Sequence, residues 1–446
     1  MRRLIVFIIN LVVIALLTFN NIAYAGGLQA ESILQIDLDE TIKRALDTSE
    51  ELRIKNSQVN KTEGAYREVR SGMLPHISAE STWIYNIDTP SSLNIGDYFD
   101  VSGVTASQVI WSFGKVMYAV NAAKKMVEAS RFDKEAGRQQ IIYTAKLSYY
   151  SNLLARNTLS ITEESYKNAL ENKKLLGQRS YGGRSPKYEI IRMNAEVAAR
   201  VPTVNEARTQ AAAAQETLKR LINLTPECKI MLAGDFQEVY ADFDYDRLVE
   251  AMYEREPSLK SLTKIIESAD AKLKSSYASF LPTVSGFGTW NYIDGANNSM
   301  LNGDRFGGTY AFGGVKVSIP IWEGGEKQAQ LSQSKADKEI AALRNQQVSK
   351  DLLLELKKAF LEYEQYKENL KANIEAVDLA EESFKQTQEM FASGQVTLTD
   401  LNDVELLLTN QRLNKEMTLF NINITLARIE KLIAGQYDEQ NNDKKS

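Results

Sequence analysis

The sequence predicts a mainly α-helical protein with a small β part, in which long antiparallel coiled-coil helices join short β-hairpins. Three observations predict this class: an internal duplication, one pair of alternating strand-like segments in each copy, and long stretches with coiled-coil spacing. Charged residues make up 25% of the 446 residues and proline only 8 positions, which suits long solvated helices. A duplicated half of this length predicts two similar halves packed side by side.

The duplication has two offsets. Pro75 and Pro282 are 282 − 75 = 207 apart, whereas Trp111 and Trp322 are 322 − 111 = 211 apart. The second copy has therefore gained four residues (211 − 207) between residues 294 and 319. We predict a surface loop there, because loops tolerate changes of length.

The start of the chain has the pattern of a secretory signal peptide. Arg2 and Arg3 precede an apolar run from Leu4 to Phe19, and Ala23-Tyr24-Ala25 places small residues at the cleavage positions. The alternative is a membrane anchor, but the run is short for a span of about 20 residues. We predict five parts: signal peptide 1–25, first repeat 26–222, an equatorial link 223–244, second repeat 245–434 and a polar tail 435–446.

Each copy contains a predicted hairpin of two strands. From Ile77 to Ile87 apolar and polar residues alternate, a period of two that is typical of a strand. A second strand covers about 97–110, and the matching strands cover about 284–292 and 306–319. Their length suits a membrane crossing of roughly 9–11 residues. A soluble hairpin packed on helices is the alternative.

The rest of each copy is predicted to be helical. Helices over 38–72 and 245–279 end at Leu74-Pro75 and Leu281-Pro282, since proline cannot continue a helix. Long helices follow over 115–178 and 326–390, and in the second a coiled-coil seam is formed by Leu352, Leu356, Ala359, Tyr363, Tyr366 and Leu370.

The long helices are predicted to end at glycines, and shorter helices return from there to Leu221 and Leu432. One return helix and one ascending helix together match a long helix in length, which predicts a rod. Two hairpins leave two bare strand edges, which do not survive in lipid. We therefore expect several copies to close a barrel around a hollow axis.

Several chemistries are excluded by composition. The formal charge is −5 and the charges are interspersed, which argues against a nucleic-acid partner. His76 and Cys228 are single residues of their types, so a Cys/His zinc cluster is impossible. We predict no enzyme activity, no cofactor and no metal site.

Taken together, these features resemble the TolC family of outer-membrane efflux and secretion channels. The resemblance rests on the signal peptide, the duplication, the helix–proline–strand junctions at Pro75 and Pro282, the elbows Trp111–Lys115 and Ile321–Lys327, and the glycine-marked tips. It implies a homotrimer in the outer membrane that extends into the periplasm. It also implies a periplasmic adaptor and an inner-membrane pump as partners, and an exit duct for efflux or type I secretion as the function. The alternative function is a structural coiled-coil protein of the cell envelope without transport activity.

The resemblance also assigns site residues. Asp400 and Asp403 fall on the positions of the periplasmic constriction, although Asp400 has a second interpretation as a helix cap. Val396 stands where the family has an arginine. The adaptor-docking tips are predicted at Gly182, Gly183, Arg184, Ser393, Gly394 and Gln395. Aromatic residues predicted to lie at the membrane interface with the outer-membrane lipid are Trp83, Tyr85, Trp290 and Tyr292. For Trp111 and Trp322, core packing is an equal alternative.

Overall fold

The computed structural model describes residues 33–85, 98–181, 187–236, 238, 241–296 and 305–435. The predicted signal peptide, the tip residues Gly182, Gly183 and Arg184, and the tail after Gly435 lie outside the described residues. The described part is mostly helical with a small β part, as predicted. None of its helices combines the length and the apolar composition needed to cross a membrane.

The elements follow the same order in both repeats. The first repeat contains β1 (Ile33–Ile36), α1 (Leu38–Thr48), α2 (Glu50–Ser71), β2 (His76–Tyr85), β3 (Tyr98–Trp111), α3 (Lys115–Tyr181) and α4 (Lys187–Leu221). After β4 (Lys229–Leu232), the second contains α5 (Tyr245–Arg255), α6 (Pro257–Ala278), β5 (Thr283–Ala296), β6 (Arg305–Ser318), α7 (Glu326–Ser393) and α8 (Leu398–Leu432). The predicted strands, long helices and return helices are therefore confirmed, with bounds shifted by a few residues.

The unbroken helices predicted over 38–72 and 245–279 are wrong. Each is two helices, and the breaks fall at Ser49 and Glu256, which are 256 − 49 = 207 apart. The Ser49 hydroxyl accepts the N–H of Leu52 and starts a new helix there. At the second break Pro257 takes the first helical position, where its missing N–H costs nothing. Apolar spacing continues across both breaks and conceals them.

Four strands form one antiparallel sheet in the order β2-β3-β5-β6. The two hairpins share their register: His76 faces Ser107 in the first, and Thr283 (76 + 207) faces Ser318 (107 + 211) in the second. The four-residue gain therefore falls between Tyr292 and Thr309, at the far end of the second hairpin. β2 and β6 are the outer strands of this sheet.

The helices form a layer that follows the strand order. α3 packs against α2 and α4 on one side and against α6 and α8 on the other. α7 packs against α6 and α8. The two long helices thus alternate with stacked pairs of short ones, which confirms the predicted arrangement along the rod.

The largest core lies at mid-height, where the link between the repeats meets both long helices. β4 pairs in parallel with β1, a contact that the sequence analysis missed. The Tyr149 and Tyr363 hydroxyls donate to the carbonyl oxygens of Ala233 and Ala241 in the link. The predicted seam of α7 lies in this core, and Leu356, Ala359, Tyr363 and Leu370 are fully buried.

Candidate functional site

The turn between α7 and α8 is a compact tip. Gly394 has φ 85°, a left-handed conformation that disfavours other residues. The Gln395 N–H donates to the Met390 carbonyl (2.9 Å) and the Gly394 N–H to that of Phe391 (3.1 Å), which completes a Schellman ending. Ser393, Gly394 and Gln395 are all exposed, so this predicted tip is available to a partner.

Asp400 belongs to a capping box at the start of α8. Its carboxylate accepts the Thr397 hydroxyl (2.7 Å) and N–H (2.8 Å), and the Thr397 hydroxyl accepts the Asp400 N–H (3.2 Å). These hydrogen bonds from Thr397 hold the pKa of Asp400 below its usual range. The helix-cap interpretation of Asp400 is therefore confirmed. Asp400 and Asp403 are both exposed and lie about one turn apart.

A small apolar cluster holds the four helix ends of the tip together. Phe391 is fully buried, and the half-buried Val396 packs on this cluster instead of presenting a charge. The buried members come from α3, α4, α7 and α8: Ala169, Leu176, Met193, Val197, Phe391, Leu398 and Leu401. The tip is therefore one packed unit.

Above this cluster lies a buried polar network that the sequence analysis did not predict. Arg200 of α4 forms an ion pair with Glu405 of α8, whose side chain is 1% exposed. The Ser165 hydroxyl of α3 donates to Glu405 (2.7 Å), and Thr409 also donates to it (3.1 Å). The network joins three helices from both repeats. Its members are far apart in sequence, so no local signal could reveal it.

Two further polar contacts cross between the repeats. The Arg192 guanidinium of α4 donates to the Thr399 hydroxyl of α8 (2.8 Å). Arg412 of α8 lies between Glu164 of α3 (2.8 Å) and Glu381 of α7 (2.7 Å). Charge-assisted hydrogen bonds of this kind also fix side-chain geometry.

The sheet has two chemically different faces. The register places Ser81 opposite Ser102 and Ser102 opposite Tyr292. Because side chains alternate along a strand, the predicted interface residues Trp83, Tyr85, Trp290 and Tyr292 share one face, and all are exposed. The opposite face is more polar and includes Ser78, Glu80, Thr82, Thr105, Thr289, Asn291 and Lys316. Trp111 and Trp322 are also exposed, so core packing within the chain does not explain them.

Both layers end in open edges on the same two sides. β2 and the helices α2 and α4 form one side, and β6 with α7 forms the other. Large apolar side chains are exposed on both, including Ile54 and Ile340. Large apolar side chains gathered along an open side are typical of an interaction site. Within the described residues no group of His, Cys, Asp and Glu is placed to hold a metal ion.

Comparisons with known proteins agree with this fold. Residues 248–435 match the family described as "Outer membrane efflux protein". The outer membrane efflux protein BepC of Brucella suis is 21% identical over 384 residues, which cover 85% of this chain and 77% of BepC. The cation efflux system protein CusC of Escherichia coli O157:H7 is 21% identical over 326 residues, which cover 72% of this chain and 67% of CusC.

Solved structures share the fold at lower identity. The Campylobacter jejuni CmeC outer membrane channel superposes with a TM-score of 0.79 at 17% identity and covers 90% of this chain and 86% of its own. The Vibrio cholerae outer membrane protein VceC gives 0.77 at 16% identity, with 90% and 97% covered. The second repeat of this chain therefore matches the outer membrane efflux protein family, and the chain shares the fold of solved outer membrane channels.

Proposed function

We propose that the protein is a trimeric outer-membrane channel that serves as the exit duct of a multicomponent efflux or type I secretion system. The chain then acts as a passive conduit rather than an enzyme. A periplasmic adaptor docks on its helix tips, and an inner-membrane pump supplies the energy. The names of its relatives, efflux proteins and outer membrane channels, support this function.

One observation carries the proposal. The four-stranded sheet and the helical layer are both open at their two sides, and the open sides of the two layers coincide. A strand edge in lipid leaves N–H and C=O groups without partners, which costs several kcal/mol for each group. Closure by further copies removes the edges and encloses a lumen. The face with Trp83 and Trp290 then meets lipid, and the face with Thr105 and Thr289 lines the pore.

The gate is proposed at Asp400 and Asp403. Both carboxylates are exposed at the start of α8, and a trimer would place three copies of each around the periplasmic opening. A ring of carboxylates attracts cations. The capping role of Asp400 does not compete with this, because a capping carboxylate keeps its charge. The proposed docking surface is the tip of each helix pair, with Ser393, Gly394 and Gln395 in the second repeat and Gly182, Gly183 and Arg184 in the first.

The test combines fractionation with conductance. The mature protein should need detergent for extraction from outer membranes, run as a heat-resistant trimer and open pores in planar bilayers. Changing Asp400 and Asp403 together to Asn should lower the preference for cations, with Asn410→Asp on the same helix as a control of charge placement. Extraction by salt alone with no conductance would favour the structural coiled-coil alternative. Unchanged selectivity would remove the two aspartates from the gate.

A further inference from the structure

The two repeats have the same backbone at mid-height, where α4 and α8 end and α2 and α6 begin. Asn223 (φ 53°) and Ala434 (φ 51°), which are 434 − 223 = 211 apart, both take the left-handed conformation just after a helix. At the helix starts, Ser49 (φ −59°, ψ 119°) and Glu256 (φ −58°, ψ 116°) are 256 − 49 = 207 apart and also agree. Equivalent residues of the two repeats can therefore be compared directly at this level.

In the second repeat a carboxylate fills this junction. Glu256 is 7% exposed, and its side chain accepts the N–H of Ser258 (3.3 Å). Burial raises the pKa of Glu256, while the hydrogen bond from Ser258 and the Lys431 ammonium at the end of α8 oppose this rise. The second repeat thus supplies both a buried carboxylate and a nearby cation from its own chain.

The first repeat has a cavity at the equivalent place. Ser49 stands where the second repeat has Glu256, and the cavity beside it has a volume of about 700 Å³. The end of α1, the start of α2, the middle of α3, the end of α4 and the link all contribute to its wall. The short side chain of Ser49 therefore leaves open the space that Glu256 fills in the second repeat.

A buried hydroxyl at this cavity has no partner. Ser148 of α3 lines the cavity and is 9% exposed, and its hydroxyl forms no hydrogen bond within the described residues. Its equivalent in the second repeat is Ala359 (148 + 211), which is fully buried and has no polar group to satisfy. Unpartnered buried hydroxyls are rare, so Ser148 indicates a polar ligand. Turning this hydroxyl toward a ligand breaks no existing hydrogen bond.

Two cations at the end of α4 line the cavity, and they differ in their partners. The Lys219 ammonium is bonded to Glu216 (2.7 Å) and to the Pro226 carbonyl (2.8 Å). The Arg220 guanidinium, at the position of Lys431 (220 + 211), forms no ion pair within the part of the chain that the structure describes. A carboxylate from outside the chain can therefore pair with Arg220.

The start of α2 supplies the opposite charge. Glu50 and Glu51 line the cavity, both are exposed, and neither carboxylate has an ion pair among the described residues. These two groups repel a ligand that carries only negative charge, and they attract an ammonium group. The ligand that matches this cavity therefore carries one group of each sign.

We propose that the cavity binds a short peptide with a free amino group and a free carboxyl group. The peptide carboxylate takes the place that Glu256 fills in the second repeat, where it binds Arg220 and the Ser148 hydroxyl. The peptide ammonium lies near Glu50 and Glu51. A cavity of about 700 Å³ is large enough for a ligand of a few residues. The site lies at mid-height, away from the helix tips and the sheet, so it is separate from the surfaces of the proposed duct.

Calorimetry with defined peptides tests the chemical class of the ligand. The probe is trialanine, titrated into the full chain in detergent in its assembled state, so that any contact between copies is in place. We expect saturable binding. N-acetyl-trialanine and trialanine amide each lack one charge of the zwitterion and should bind at least about tenfold more weakly. Equal affinity for the three peptides, or binding of none of them, would overturn the proposal.

Substitutions locate the site. Ser49→Glu gives the first repeat the carboxylate of the second, so it should abolish trialanine binding while the circular dichroism and the oligomeric state stay unchanged. Ser57→Glu, at an exposed position of α2, is the matched control and should leave binding intact.

A second pair of variants removes a cation instead of filling the cavity. Arg220→Ala should weaken trialanine binding by about tenfold or more, whereas Arg208→Ala on the same helix should not. If Ser49→Glu and Arg220→Ala bound trialanine as tightly as their controls, the peptide would bind elsewhere on the protein and the proposed site would be wrong.

Discussion

The joint between the two repeats and the open sides of the molecule differ in chemistry. The joint inside the chain is rich in ion pairs: Lys125 of α3 lies 2.8 Å from Glu267 of α6, and Arg412 bridges Glu164 and Glu381. The hydrogen bond from Lys125 holds the pKa of Glu267 below its usual range. The open sides instead expose large apolar side chains, among them Ile54, Ile340 and Leu361, next to polar residues such as Lys61.

This difference indicates that the joint between the repeats and the open sides have different partners. The ion-paired joint forms as one chain folds, because both partners of each ion pair belong to that chain. Apolar side chains on the open sides are removed from water only when copies meet, and such burial is the main drive for stable association. In the proposed channel, the joint between the repeats therefore serves folding and the open sides serve assembly.

The largest expected effect comes from a charge placed on the open side of α7. Leu361→Asp would bury an unpaired carboxylate at the joint between copies, at a cost of several kcal/mol. We expect the trimer to be lost while the chain keeps its helical circular dichroism. Size-exclusion chromatography with light scattering in detergent measures the loss.

Tyr150 is the counterpart of Leu361 in the first repeat (361 − 211), and its substitution by Asp gives the contrast. Tyr150→Asp changes a buried core residue, so we expect loss of folded protein rather than of assembly alone. If Leu361→Asp remained trimeric, or if both variants behaved alike, the distinction between a folding joint and an assembly joint would fail.

The next effect concerns the buried network of the tip. Glu405→Ala leaves the buried Arg200 without its carboxylate partner, although the Ser165 hydroxyl still accepts a hydrogen bond from it, and we expect a cost of about 3–5 kcal/mol. We expect a lower denaturation midpoint and faster proteolysis near the tip. Asp403→Ala is the matched control, since Asp403 is exposed on the same helix and should change stability by less than about 0.5 kcal/mol. Equal midpoints for the two variants would show that the network does not stabilise the tip.

A smaller effect is expected at the ion-paired joint. Arg412→Ala removes hydrogen bonds to two carboxylates, for which we expect a loss of about 1–2 kcal/mol. Arg208, paired with Glu163 on the surface, is the control, and Arg208→Ala should cost about 0–1 kcal/mol. Chemical denaturation at low and high salt measures both variants. Arg412 would have no special role if the two losses were the same.

Local sequence patterns predicted most helices and strands. Contacts between residues that are far apart in sequence were not predicted. Strand alternation from Ile77 located β2 closely, and α7 ends before Gly394 as predicted. The breaks at Ser49 and Glu256 were missed because the apolar spacing crosses them, although Pro257 signalled a helix start. The four-residue strands β1 and β4 are too short to show a period. Arg200 and Glu405 are 205 residues apart (405 − 200), and only the packing of α4 near α8 brings them together.

The smallest expected effect comes from the cap at the start of α8 in the second repeat. Thr397→Val should cost about 1 kcal/mol through loss of the cap. The folded-state pKa of Asp400 lies below the ordinary value of 3.8, so its stabilising contribution is complete above that value and is lost as pH falls through the folded pKa. Tip proteolysis should therefore accelerate in acid below about pH 4 in the native protein.

Asp400→Asn separates this effect from general acid denaturation. The variant should be cleaved faster at neutral pH, because it lacks the carboxylate that binds Thr397, and its cleavage rate should depend less on acid. Glu189→Gln is the matched control, since Glu189 is the counterpart of Asp400 (189 + 211) in the first turn of α4. If Asp400→Asn left the acid dependence of cleavage at the second tip unchanged, the capping carboxylate would not be its source.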